Sequence, residues 1–155
     1  MSARVFVLSL LVFAGAFGAH EVMHLVVIYA VGGQGSIVVR PWRLGLADAT
    51  IYALHAQPAQ PLGLVRQALV NFLGPVLAAV PLVALLAAVR ERVAWLALWA
   101  NVLILVFYAL IEAGDLLLEE VLHTDVSLLT TPEFNYGVPL LIILGATFLA
   151  PRLRD

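Results

Sequence analysis

Apolar residues fill three long runs of this chain, 5–31, 62–89 and 93–118, and a shorter one at 137–150. A bilayer core is crossed by about 20 apolar residues of helix, so each of the first three runs predicts a transmembrane helix. The last run reaches span length only when Tyr136 and the residues before it join the helix, and it is read as a fourth span over 136–150. The polar interval 32–61 is too long for a simple helix connection. It holds Gly32, Gly33 and Gly35, then Ile37-Val38-Val39-Arg40, a turn-like stretch at 41–48, and Thr50-Ile51-Tyr52-Ala53-Leu54. β-branched and aromatic residues flanked by Gly, Pro and Asp predict two short strands. The pattern as a whole predicts an all-α membrane protein, a single integral membrane domain over 1–155. It has about four transmembrane helices (5–31, 62–89, 93–118 and 136–150) and a short β-hairpin-like segment after the first.

The connection at Arg90-Glu91-Arg92 is short, which makes the second and third spans antiparallel neighbours. The interval 119–135 carries Glu119, Glu120, Asp125 and Glu133 and no Arg. An even number of spans puts Arg4, Arg90, Arg92, Arg152 and Arg154 on one side of the membrane, against Arg40, Arg43 and Arg66 on the other. The positive-inside rule then prefers both termini in the cytoplasm.

Composition agrees with the apolar pattern: 63% of residues are hydrophobic and 12% charged, far from the balance of a soluble domain. All eight basic residues are Arg, the net charge is −2, and no basic cluster fits a nucleic-acid partner. With no cysteine, disulfides and thiolate metal sites are excluded, and any metal must rely on His, Asp or Glu. Arg4, an apolar stretch and the small residues before Ala19 have the look of a secretory signal. Apolarity resumes at Val22, however, which favours an uncleaved first helix.

Inside that first run lies His20-Glu21-Val22-Met23-His24. Imidazole and carboxylate groups are costly in lipid unless they pair, line a cavity or bind an ion. Positions four apart share a helix face, so His20 and His24 can present nitrogens to one metal ion, zinc being the expected one. Glu21 is placed to take a proton from a water on that ion as general base. Tetrahedral zinc holding two histidines and a water needs one more protein ligand. The third span offers Asp115, favoured because its short side chain suits close helix approach beside Gly114, and Glu112 as the alternative. In the second span, Asn71 is a candidate for orienting substrate backbone, and Gly74, before the helix-interrupting Pro75, lets another backbone come close. Asn101 reads as an interhelical hydrogen-bond partner, His55 and His123 as solvated histidines, and Trp42, Trp95 and Trp99 as interfacial anchors.

This combination resembles the site-2 protease family of intramembrane zinc metalloproteases. The pentad, a strand-bearing segment, Asn71 with Gly74-Pro75, and Gly114-Asp115 occur in the family's order and cover most of the chain. The resemblance implies His20, His24 and Asp115 as zinc ligands, Glu21 as general base, and cleavage of peptide bonds in transmembrane or membrane-adjacent protein substrates. It also implies a substrate extended along the strands between Gly32 and Leu54, and a place in the plasma membrane of a prokaryote. The family's third motif has Asn, then Pro, then Asp-Gly, where this chain has Phe107, Leu110 and Asp115-Leu116. That departure keeps Glu112 as the rival ligand and leaves two other functions open. One is a non-catalytic small subunit of a membrane complex, with partner subunits, whose histidines bind haem or a structural metal. The other is a degenerate protease that only binds clients.

Overall fold

The computed structural model describes residues 2–44, 49–124 and 131–150. Asp125, Arg152, Arg154 and the 45–48 part of the expected turn lie outside the described residues. The element order is α1 (Ala3–Ala30), β1 (Gly35–Leu44), β2 (Ala49–Pro58), α2 (Leu64–Ala88), α3 (Arg92–Leu122) and α4 (Pro132–Leu149). All four helices are long and apolar enough to cross a membrane. At 1.5 Å per residue the 28 residues of α1 reach about 42 Å and the 18 of α4 about 27 Å, against a hydrocarbon core of about 30 Å.

Two helix ends depart from the apolar runs, and local chemistry explains both. Helix α3 continues past Leu118 through Glu119 and Glu120 and stops at His123, whose φ of 51° is left-handed. The Thr124 N–H then bonds back to the Leu118 carbonyl at 3.0 Å, which closes the helix end. Helix α4 starts before Tyr136 because Thr131 caps it, accepting from the Phe134 N–H at 3.3 Å, with Pro132 at the first turn.

Helix α3 is the hub: 56% of its most apolar stretch is buried, against 28% for α1 and α2 and 17% for α4. Buried Ala97, Ala100 and Ala109 on α3 and Ala78 and Ala79 on α2 are small enough to let backbones approach. One core cluster joins all four helices through Ala16, Ala78, Ile104, Leu105 and Ile143. Asn101 bridges helices as expected, donating from Nδ2 to the Ser9 carbonyl at 3.1 Å. Large apolar side chains such as Leu11, Val83 and Leu141 point outward, which suits lipid as solvent. Trp95 and Trp99 are part of that outer surface, near the start of α3.

The hairpin is longer than its sequence signal. Strands β1 and β2 pair antiparallel from Gly35↔Pro58 to Leu44↔Ala49, so 41–44 is strand where a turn was expected. Pro41 is tolerated because of register. Ala56 directs its N–H away from β1, to Glu21, so Ile37↔Ala56 is a non-hydrogen-bonded pair. Pro41↔Tyr52 and Gly35↔Pro58 share that parity, and neither proline removes a ladder bond. The buried residues Ala53 and Ala56 lie on β2, and Ala56 packs with Val27, Ile28 and Val70, seating the hairpin on α1 and α2.

Candidate metal centre

His20 and His24 lie one turn apart on α1, both buried, and their Nε2 atoms approach to 2.6 Å. Glu112 of α3 bridges them: Oε1 is 3.2 Å from His20 Nε2 and Oε2 is 3.0 Å from His24 Nε2. The ligand atoms of these three residues lie within 4.8 Å of one another, and the group can hold a metal ion.

The tautomer of His24 follows from its other nitrogen. Nδ1 lies 2.9 Å from the Val70 carbonyl, which can only accept, so Nδ1 carries a hydrogen and Nε2, in the neutral ring, presents its lone pair to His20 and Glu112. A lone pair that close to the His20 nitrogen and a carboxylate calls for a cation or proton at the point they share. Zn–N bonds of about 2.0–2.1 Å would place two nitrogens of one tetrahedral ion roughly 3.3 Å apart. A small opening of the pair therefore accommodates such an ion. His20 has no hydrogen-bond partner for its buried Nδ1 among the described residues. Packing holds its ring instead: Tyr108 stacks on it at 5.3 Å and Phe17 meets it edge-on at 6.0 Å.

Glu112, and not the favoured Asp115, meets the histidines. Three residues further along α3, Asp115 sits about 4.5 Å further along the axis with one methylene less of reach. It lines the same cavity without joining the group. Gly114 was expected to permit close helix approach there, but a Cβ at that position meets nothing within 4 Å.

The second-span candidates both touch residues of this group. Asn71 Nδ2 donates to the Glu112 carbonyl at 3.0 Å, while its Oδ1 accepts from Gln67 Nε2 at 2.7 Å. The Gln67 contact within α2 orients the amide, and its Nδ2 end ties α2 to the turn of α3 that carries Glu112. Gly74 faces the His24 ring: a Cβ there would lie 2.6 Å from Cε1 and 2.7 Å from Cγ. The missing side chain is what lets the ring slide in beside α2 and reach Val70.

Around the group lies a cavity of about 440 Å³, walled by Phe17, Trp42, Tyr108 and Tyr136 on one side and by Leu54, His55 and Ala56 of β2 on another. Trp42 packs edge-on to Tyr136 at 5.8 Å, so it belongs to this wall and is not a free interfacial anchor. Glu21, buried on α1, also faces the cavity, where its Oε2 accepts the Ala56 N–H at 2.7 Å. Sequence reasoning missed Tyr108, Gln67 and the Val70 carbonyl. Tyr108 and Gln67 each stand four residues before a residue it had singled out, Glu112 and Asn71, which places them on the same helix faces.

His55 is half-buried in the cavity wall, where a solvated histidine was expected. Burial lowers its pKa; Arg40 and His24 add to this, while Glu21 and Glu112 oppose it. The folded state therefore binds fewer protons at this site than the unfolded one, whose pKa is about 6.5. Its stabilising contribution is complete above that value and is lost as pH falls through and below it. Hydrogen exchange over Ala49–Pro58, corrected for intrinsic rates, is expected to be faster at low pH than at neutral pH, and His55→Gln to flatten the difference. An unchanged pH response in His55→Gln would assign it to another group. His123, by contrast, is exposed at the end of α3.

Comparison of the chain with protein-family models, curated proteins and solved structures gives no match.

Proposed function

We propose that this protein is an intramembrane zinc metalloprotease of the site-2 protease type, hydrolysing peptide bonds of transmembrane or membrane-adjacent proteins in the plasma membrane of a prokaryote. The observation that carries this reading is the convergence of His20, His24 and Glu112 within a bundle of helices of membrane-spanning length, with the Glu21 carboxylate facing the same cavity. Two imidazoles and one carboxylate form a donor set that catalytic zinc uses, with a fourth position left open. When bound, zinc supplies a Lewis acid that polarises the scissile carbonyl and makes a water acidic enough to attack at neutral pH.

The chain's own residues divide the rest of the work. Glu21 is the proton acceptor, and after attack it returns the proton to the leaving amine. Val70 fixes the His24 tautomer, and Asn71 and Gln67 hold the Glu112 turn in place. Strand β2 borders the cavity with an edge that, among the described residues, is free of sheet pairing, a surface on which an extended peptide can add as a third strand. Backbone of this kind at membrane depth is stable where it lines a polar cavity.

Glu21→Ala tests the reading. Purified protein is expected to retain zinc while cleavage of a co-reconstituted transmembrane substrate falls by about 10²–10⁴-fold, the usual contribution of a general base. Full cleavage by that variant would exclude the mechanism.

A further inference from the structure

The contact between Glu21 and Ala56 joins the proposed base to the proposed substrate ledge, and the register of the hairpin shows what kind of contact it is. In β2 the residues of non-hydrogen-bonded pairs, Tyr52, Leu54, Ala56 and Pro58, direct their backbone polar groups away from β1. Pro58 has no N–H, so Ala56 is the last outward donor at that end of the strand. Its N–H meets Glu21 Oε2 at 2.7 Å, and both residues are buried. The carboxylate oxygen thus stands where the carbonyl oxygen of a third strand would stand. Adjacent strands are about 4.8 Å apart, so an added peptide cannot reach this end of the edge while Glu21 holds it.

We propose that Glu21 latches the substrate-free site by occupying the Ala56 N–H, and that an extended peptide adding to β2 takes this donor and releases the carboxylate toward the reacting centre. The inference rests on the protease reading for the role of the released carboxylate, but not for the competition itself. The ligand class is a peptide in β conformation, recognised by its backbone. A base that is set free only when peptide occupies the edge keeps the proton acceptor tied down while no substrate is present. It also makes the position of cleavage depend on which substrate carbonyl meets Ala56.

The test is a binding measurement that needs no turnover. The probe is a fluorescein-labelled heptapeptide of alternating valine and threonine, added to full-length protein in detergent micelles and read by fluorescence anisotropy. Because charge-assisted hydrogen bonds are the strong ones, Glu21→Ala is expected to tighten binding about tenfold, and Glu21→Gln by less. Ala56→Pro removes the donor at a position whose parity already accepts Pro41 and Pro58, and is expected to weaken binding. In the double variant the gain from Glu21→Ala should disappear. Unchanged or weaker binding in Glu21→Ala, or an equal gain with proline at position 56, overturns the latch. If the binding pattern holds while wild-type protein cleaves nothing, the latch stands and the protease reading falls.

Discussion

Glu112→Ala is expected to lower the affinity for zinc by more than about 100-fold, while Asp115→Ala lowers it by less than about tenfold. Loss of outer-shell partners already costs about 10–100-fold at metal sites, and Glu112 is placed to be a direct ligand, with one oxygen on each histidine at 3.0 and 3.2 Å. Without it two buried imidazoles remain, and one protein ligand is missing from the three of a catalytic zinc site. Asp115 shares the cavity but not the point of convergence. The measurement is a zinc competition titration with a chromogenic chelator on full-length protein in detergent, with circular dichroism to show that both variants keep their helices. Equal losses, or a larger loss in Asp115→Ala, would return the ligand role to Asp115. Glu112→Asp should fall between, because it keeps the charge and shortens the reach.

The difficulty of choosing between these two acids from the sequence is physical. Glu112 and Asp115 are three residues apart and share a face of α3, so periodicity alone cannot separate them. The choice depends on the level at which α3 packs against α1, which is set by contacts such as Tyr108 on His20 and Asn71 on the Glu112 carbonyl. The two histidines were legible because both lie on one helix, where spacing is geometry. Spans were legible for a related reason, since apolar length is a local quantity. Their ends were less so: Glu119 and Glu120 are good helix formers beyond the apolar run, and the stop came from the left-handed His123. The start of α4 was written in Thr131-Pro132-Glu133, a capping signal that hydropathy overlooks. Pro41 read as a turn because its harmlessness in β1 depends on register, which only the paired strand reveals.

Gly74 offers the sharpest separation of packing from propensity. Within a helix, alanine is favoured over glycine by about 0.5–1 kcal/mol, so Gly74→Ala and Gly114→Ala should both stabilise if helix propensity decided. At Gly114 nothing lies within 4 Å of a new Cβ, and that variant is expected to keep zinc affinity and gain slightly in thermal stability. At Gly74 the new methyl would strike the His24 ring, 2.6 Å from Cε1 and 2.7 Å from Cγ. The ring has no free path away, because its Nδ1 is bound to Val70 and its Nε2 faces His20 and Glu112. Either α2 withdraws from α1 or the ring leaves Val70 and loses its fixed tautomer. Overpacking of this kind costs about 1–3 kcal/mol, which outweighs the propensity gain. The displaced ring should also weaken zinc binding by about 10–100-fold, the range for lost outer-shell support. Thermal unfolding and the same chelator titration, run side by side on the two variants, read both effects. If Gly74→Ala behaved like Gly114→Ala, the close seat of His24 against α2 would be wrong.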